Sequence, residues 1–220
     1  YVYIGLPPLY KIKQGKQELY LKDDPALDSY LASSAVENAG LVPASGEPPI
    51  DGVALEKLLL AYAAAQDTIN RNTHRYDRNL LEALVDFMPL ELENLRTAGP
   101  GEGLDALAKH LNQGNLGSAR FTLELQEPNE QRPAAVLVTR SHMGEQHIQV
   151  LPLSALESGE LRGIHQAAQL LHGLVREGAV ITRGAKSIEV ESFAQARNWL
   201  LDEAKRGRQI QRFKGLGEMN

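Results

Sequence analysis

The architecture of this chain follows from the segment PLYKIKQGKQELYLK, residues 8–22. Large apolar or aromatic residues alternate with polar ones on both sides of the short link 14–16, which contains a glycine. Alternation of this kind is typical of β-strands, and a glycine in a short link favours a tight turn. The segment therefore predicts a β-hairpin with Lys11, Lys13 and Lys16 near its tip.

Both ends of the chain carry further alternating runs. YVYIGL, 1–6, and RQIQRF, 208–213, each predict a strand. The chain starts inside such a run at Tyr1, without an initiator Met, so we expect it to be part of a longer protein. If the residues between these runs form an inserted domain, its two ends lie close together, because such a domain leaves a host sheet near where it entered. The expectation is then that the end strands share one sheet.

Residues 25–204 form a body with two patterns. Apolar residues at helical spacing predict helices at about 53–69, 78–87 and 104–111. Alternation then predicts an antiparallel meander of three strands at 119–125, 134–140 and 146–152.

The rest of the body continues this mixture of elements. An amphipathic helix is predicted over 161–175, and a hairpin that turns at 183–184 follows it. The last helix begins with Ser192 and Gln195 in the spacing of a capping box. The segment 40–52 is rich in Pro, Gly and small residues and predicts a mobile loop.

Together these patterns predict an α+β fold, since strands and helices alternate without the regular order of a parallel doubly wound sheet. The predicted organisation has a first flank at 1–24, the body at 25–204 and a second flank at 205–220. Within the body, 51–113 is predicted to be helical and 117–204 to be α+β.

Charge is divided unevenly along the chain. The net charge is −5, yet residues 205–220 carry five Lys or Arg and one acid. Residues 1–24 carry four Lys and three acids, whereas 25–204 carry 14 basic and 24 acidic side chains. The phosphate backbone of a nucleic acid should therefore repel the body and attract the flanks.

Composition excludes several classes of site. The chain has no cysteine, which rules out disulfide frameworks, thiolate metal sites and cysteine nucleophiles. No apolar run approaches the length of about 20 residues that a membrane helix needs. A cytoplasmic location without membrane contact is the expectation.

The two ends resemble a known family. LPPLYKIKQGKQELYLKDD, 6–24, and IQRFKGLGEMN, 210–220, resemble almost residue for residue the Toprim region of type IIA topoisomerase B subunits. In that family the two motifs are close in sequence, except in DNA gyrase B subunits of the Gram-negative type, which carry a long insertion between them. Here the 180 residues of the body separate them. The chain is thus similar to the C-terminal part of that Toprim region with its insertion.

This resemblance implies a parent enzyme that negatively supercoils DNA. Such an enzyme uses ATP and Mg²⁺, and it cleaves double-stranded DNA with a tyrosine of the gyrase A subunit. The implied partners are that A subunit and the remaining B-subunit domains in an A2B2 heterotetramer. The family's acidic magnesium motifs and nucleotide motifs do not occur in this sequence. We therefore expect no catalytic residue, metal site or cofactor in this chain, and a scaffolding and DNA-positioning role.

Asp23 and Asp24 are the nearest candidates for a metal site. Adjacent residues on an extended chain point to opposite faces and do not hold one ion from the same side. A solvated turn before Pro25 is the favoured interpretation.

The KGLGE motif is the sharpest candidate for a DNA contact. Gly215 and Gly217 allow the backbone to approach a phosphate closely, and Arg212 and Lys214 offer charged hydrogen bonds beside it. Without the resemblance, an ordinary turn between a strand and a helix would be preferred. With it, we expect phosphate contacts that carry no sequence code.

Two further groups are weaker candidates. Lys11 and Lys13 could contact DNA, although exposed hairpins often carry lysine to block edge pairing. Arg71, Arg75 and Arg78 recur at helical spacing and form a possible interaction cluster for DNA or another subunit. A solvated helix end is the alternative interpretation, because the surrounding charge is acidic.

Two other functions stay open. The B subunit of topoisomerase IV shares the end motifs, but it would normally lack so long an insertion. A function of a different class is a small enzyme or ligand-binding domain, with a pocket between the helical half and the meander. No residue pattern nominates a nucleophile or base for it.

Overall fold

A computed structural model describes residues 8–113 and 119–213, which form ten β-strands and eight α-helices. The strands are β1 (Tyr10–Gln14), β2 (Gln17–Leu21), β3 (Ala39–Val42), β4 (Ile50–Asp51), β5 (Arg120–Gln126), β6 (Ala135–His142), β7 (Glu145–Pro152), β8 (Val180–Arg183), β9 (Lys186–Glu189) and β10 (Gln209–Arg212). The helices are α1 (Asp24–Ala35), α2 (Gly52–Asn72), α3 (Arg78–Asp86), α4 (Leu92–Thr97), α5 (Gly103–Gln113), α6 (Leu153–Glu157), α7 (Arg162–Leu171) and α8 (Phe193–Lys205). Helices combined with antiparallel sheets confirm the predicted α+β class.

The described residues divide into two compact units. Unit 1 contains 8–60 and 175–213, and unit 2 contains 61–113 and 119–174. Within these ranges no helix has the length and apolar character needed to cross a membrane. The strand predicted at 1–6 and the KGLGE motif lie outside the described residues.

In unit 1, described strands from the two flanks meet in one sheet. Its strand order is β10-β1-β2, and both pairings are antiparallel. Tyr10 lies opposite Arg212, and the backbone N–H of Phe213 donates to the carbonyl of Leu9 at 2.8 Å. The predicted hairpin is confirmed, and it shares a sheet with the strand predicted at 208–213. A place in this sheet for the strand predicted at 1–6 stays a prediction.

Helix α1 follows the hairpin directly, where the sequence predicts only a turn. The Asp23 side chain caps the helix by accepting from the N–H of Ala26 at 2.9 Å. Pro25 stands in the first turn, where a missing N–H costs no helical hydrogen bond. Leu31, Ala32, Ser34 and Ala35 are the buried residues of this helix. Because three of these four side chains are small, the apolar periodicity of the helix is weak.

The mobile loop predicted at 40–52 is wrong at both ends, because Ala39–Val42 and Ile50–Asp51 are the strands β3 and β4, which pair with each other. Ala39–Val42 is a strand in a four-stranded sheet with the order β4-β3-β8-β9, and Leu41 is fully buried opposite Ile181. The guanidinium of Arg176 donates to both carboxylate oxygens of Glu47, at 2.6 and 2.5 Å. The strand was missed because its main partner, β8, lies about 140 residues further along the chain.

Unit 2 contains the predicted meander, with strand order β5-β6-β7. The Asn112 side chain of α5 bonds both backbone groups of Phe121, at 2.9 and 2.8 Å, and so fixes the start of β5. Helix α7 is shorter than predicted and ends at Leu171. Gly173, two residues later, has a φ of 67°, a conformation that commonly follows the end of a helix.

Helices α2 and α7 approach closely within unit 2. A Cβ atom on Gly163 would lie 2.5 Å from Oγ1 of Thr68 and 3.1 Å from the carbonyl oxygen of Ala64. That hydroxyl is itself held, because it donates to the Ala64 carbonyl at 2.8 Å. Glycine at this position therefore permits the close approach.

We predict that Gly163→Ala lowers the free energy of unfolding by about 1–2 kcal/mol, because the added methyl group overpacks the contact with Thr68. Alanine ordinarily favours a helix over glycine, so a loss of stability would identify the contact as its cause. The measurement is urea denaturation. Gly159→Ala is the control, since nothing lies within 4 Å of its new Cβ. Equal stability of the two variants would contradict the prediction.

Candidate nucleic-acid interface

The register of the end sheet separates the predicted DNA-contacting residues. Directly paired residues of antiparallel strands project on the same face, and faces alternate along each strand. Arg212 pairs with Tyr10, whereas Lys11 pairs with Gln211 and Lys13 with Gln209. Arg212 therefore lies on the face opposite to Lys11 and Lys13. The predicted set is divided between two surfaces.

Lys11 is already engaged within the sheet. Its ammonium group lies 2.8 Å from a carboxylate oxygen of Glu18 and 5.5 Å from the centroid of the Tyr20 ring. The hydrogen bond between Lys11 and Glu18 raises the pKa of the lysine and lowers the pKa of the glutamate. Lys13 is exposed and forms no ion pair with a described residue. On this face, Lys13 is the more available positive charge.

The other face of the sheet lies against helix α1. Tyr10 and Ile12 are buried there, and the hydroxyl of Tyr10 donates to Oδ1 of Asp24. This hydrogen bond, together with burial, raises the pKa of Tyr10, and the nearby positive charge of Arg212 opposes the rise. Arg212 is exposed at the edge of this face. Lys214, Gly215 and Gly217 lie outside the described residues, so their phosphate contact stays a prediction.

Arg208 is a basic residue of this face that the sequence patterns did not single out. Its guanidinium lies 5.6 Å from the centroid of the Tyr30 ring, and its Nε donates to the Gln14 side chain at 3.0 Å. Only the pairing of β1 with β10 brings these residues together. The residues next to Arg208 in the sequence form no pattern that predicts these contacts.

Asp23 and Asp24 have separate structural roles. Asp23 caps α1, and Asp24 accepts a hydrogen bond from Tyr10. The solvated turn proposed for this pair is thus corrected to a helix N-terminus. Among the described residues, no group of three or more His, Asp or Glu side chains is arranged to hold a metal ion.

The three arginines of the possible interaction cluster lie around the turn between α2 and α3. Arg75 forms an ion pair with Glu160 and lies over the ring of Tyr76, 5.5 Å from its centroid. Arg78 donates to Glu82 at 3.0 Å and to Asn70 at 2.7 Å. Arg71 is exposed and forms no ion pair with a described residue.

Sheet strands β6 and β7 reach the same turn. The N–H of Asp77 donates to the side chain of Gln149 at 3.1 Å, and Nε of Arg140 lies 3.6 Å from a carboxylate oxygen of Asp77. Two of the three arginines, Arg75 and Arg78, therefore form ion pairs with carboxylates of unit 2. The contacts of Asp77 also hold the turn to the β5-β6-β7 sheet. This geometry favours a bracing role within unit 2 over a free cationic surface, while an external partner for Arg71 stays a prediction.

Comparison with known proteins finds relatives along the whole chain. The family model of the DNA gyrase B subunit insert domain matches residues 39–204, and the model described as the GyrB hook matches residues 8–36. The B subunit of DNA gyrase from Rickettsia typhi is 31% identical over 222 residues, and that from Caulobacter vibrioides is 30% identical over 220 residues. The B subunit of the type 2 topoisomerase from Aquifex aeolicus is 32% identical over 223 residues. Each alignment covers 100% of this chain and 26% of the relative, so the chain spans about a quarter of the length of these relatives.

We predict that Asp23→Ala lowers the free energy of unfolding by about 1 kcal/mol, because the N-cap of α1 is removed. Asp23→Asn should be nearly neutral, since asparagine caps a helix as well as aspartate does. Thermal unfolding with and without Mg²⁺ separates this role from metal binding. A melting temperature that Mg²⁺ raises in the wild type, but in neither variant, would refute the capping interpretation.

We also predict that the chain binds duplex DNA weakly, with a Kd of about 10⁻⁴–10⁻⁶ M at physiological salt. The double variant Arg212→Ala, Lys214→Ala should weaken binding and reduce the salt slope by about one for each phosphate that is no longer neutralised. Lys13→Ala tests the opposite face of the sheet in the same gel-shift series.

The matched control for this series is Lys109→Ala, which removes one positive charge from an exposed position on α5 in unit 2. It should leave binding unchanged. Tight binding that the double variant does not affect would contradict the role assigned to Arg212 and Lys214.

Proposed function

Because this chain belongs to the DNA gyrase B-subunit family, we propose that it is part of the DNA gate of an ATP-dependent topoisomerase that negatively supercoils DNA. The matches to the insert and hook models confirm the resemblance drawn from the two end motifs. In this proposal the chain is a scaffolding and DNA-positioning module. Its end sheet is continuous with the Toprim region of the parent protein.

One observation carries the proposal, namely the pairing of β1 with β10 around the body of the chain. Four consecutive pairs, from Tyr10–Arg212 to Lys13–Gln209, join the two flanks in register. The hook match covers the first flank, and the insert match covers most of the body. The body begins after β2 and ends before β10, and both strands pair with β1 in one sheet. An inserted domain whose flanking strands share one host sheet is the arrangement expected for an insertion.

The chemistry of the parent enzyme is assigned to other parts of the protein. Neither the acidic magnesium motifs nor a nucleotide-binding motif occurs in this sequence. We propose that DNA cleavage, Mg²⁺ binding and ATP hydrolysis belong to the A subunit and to the remaining B-subunit domains. The isolated chain should therefore show neither Mg²⁺-dependent cleavage nor ATP hydrolysis.

The distribution of charge along the chain supports different roles for the body and the flanks. The net charge of residues 25–204 favours contact with basic protein surfaces and disfavours contact with DNA. The second flank, 205–220, is strongly basic. We propose that the flanks lie near DNA, while the body braces the gate against neighbouring protein in a cytoplasmic A2B2 assembly with double-stranded DNA.

The name of the Aquifex relative, the B subunit of a type 2 topoisomerase, does not distinguish gyrase from topoisomerase IV. The match to the gyrase insert model over 39–204 favours gyrase.

For the ligand-binding alternative, unit 1 contains a cleft of about 600 Å³ between α1, α8 and β10. Leu27, Leu31 and Ile210 line it, but Asp28, Asp202 and Lys205 ring it with mixed charge. This cleft is not the pocket expected between the helical half and the meander, which stays a prediction. The residues that line the cleft form no pair of nucleophile and base, so scaffolding remains the preferred function.

Site-specific photo-crosslinking in the full B subunit, assembled with its A subunit and duplex DNA, tests the proposal. A photoreactive side chain at Gln211, on the exposed sheet face of β10, should crosslink to DNA. The same group at Val53 or Met143, which are 82% and 83% exposed, should crosslink to protein. DNA crosslinks from Val53 or Met143, with none from Gln211, would overturn the proposed arrangement.

A further inference from the structure

We propose that the free edge of β7 is a docking site, which takes up an extended basic segment of a partner protein as a fourth strand of the β5-β6-β7 sheet. This inference goes beyond the proposed function, since it depends only on the geometry and charge of this chain. Addition of a strand to an exposed sheet edge is a common mode of peptide recognition.

The backbone of β7 has an unpaired side. Among the described residues β7 pairs only with β6, through a two-residue turn at Met143 and Gly144 with φ values of 50° and 87°. In such a hairpin the residues that close the turn, His142 and Glu145, exchange both hydrogen bonds, and the pattern then alternates along the ladder. The N–H and C=O groups of the alternate residues therefore point away from β6. In β7 these residues are Gln146, Ile148 and Val150.

Two of these three residues, Ile148 and Val150, present an apolar surface. Ile148 and Val150 are 57% and 50% exposed, and Val150 is directly paired with Leu137 of β6 on the outer face of the sheet. The outer face of a solvated antiparallel sheet ordinarily carries polar side chains. The free backbone groups and the exposed apolar side chains thus belong to one row of residues.

The centre of this edge lacks the protection that sheet edges usually have. Native edges are blocked by charged side chains, proline or bulges. The opposite edge of this sheet, β5, carries Arg120 and Glu124 within its ladder, and β9 carries Lys186 and Glu189. In β7, the blocking residues lie at the two ends, since Glu145 is at the turn and Pro152 is the last residue, and His147 is the one other ionisable residue of the strand. Ile148 and Val150, at the centre of the edge, have no charged neighbour along the strand.

Charge decides between the possible occupants of this edge. A second copy of this chain would bring together two molecules with a net charge of −5 each. The body that contains β7 has 24 acidic and 14 basic side chains, so it favours a positively charged partner. The partner segment is therefore extended and basic, with apolar side chains at alternate positions against Ile148 and Val150.

Fluorescence anisotropy with a labelled synthetic peptide of alternating lysine and valine tests the inference on the 220-residue chain. A peptide with glutamate in place of lysine is the charge control. We expect the lysine peptide to bind, the glutamate peptide not to bind, and Ile148→Pro to weaken binding by about tenfold or more. The proline removes a donor on the free edge but no hydrogen bond to β6, so the sheet should be preserved.

Two further variants distinguish a loss of peptide binding at the β7 edge from a loss of the folded structure. Ile148→Lys leaves the backbone donors in place but adds a charge that repels the peptide, and it should also abolish binding. Thr122→Lys, in the same cross-strand row on β5, adds the same charge at the opposite edge and should bind normally. Circular dichroism and thermal unfolding verify that each variant is folded.

Several outcomes would overturn the inference. They are equal binding of both peptides, no binding of the lysine peptide, and binding that neither Ile148 variant changes. A dimer in light scattering that Ile148→Pro converts to a monomer would assign the edge to a second copy of the chain. None of these results bears on the crosslinking pattern that tests the proposed function.

Discussion

The antiparallel pairing of β1 with β10 is the constraint on which the rest of the structure depends. It joins residues about 200 positions apart, so the loss of conformational entropy on closing the intervening loop opposes its formation. This entropy grows only slowly with length, so a long insertion is tolerated between two strands of one sheet. The body begins after β2 and ends before β10, so both of its connections are made to one three-stranded sheet, in which β1 lies between those two strands.

The same pairing determines what the basic residues can contact. Side chains alternate between the two faces of a strand, so the register that places Arg212 opposite Tyr10 removes it from the face of Lys11 and Lys13. Arg208 lies with Arg212 on the face against α1, where its guanidinium covers Tyr30. The DNA contacts proposed for this sheet are therefore two separate surfaces with different neighbours.

Ion pairs within each unit explain why charged clusters in the sequence are weak guides to function. Arg75 is held by Glu160, and Arg176 by Glu47, through separations of 85 and 129 residues. Exposed ion pairs of this kind contribute little to the free energy of folding, yet they neutralise the positive charge that an external partner would need. The free edge of β7 is different, since the outward backbone groups of Ile148 and Val150 have no strand partner in the described part of the chain and their side chains are 57% and 50% exposed.

Features that depend on near neighbours can be predicted from the amino-acid sequence. They are the hairpin at 8–22, the β5-β6-β7 meander, the cap of α8 at Ser192 and the two end motifs that indicate the family. Contacts between distant residues are needed to define the strand Ala39–Val42, the helix that Asp23 caps and the faces to which Lys13 and Arg212 belong. Periodicity and turn chemistry act only within a few residues. A strand that pairs across about 140 residues, a helix with small buried side chains and a sheet register are set by partners that no local pattern specifies.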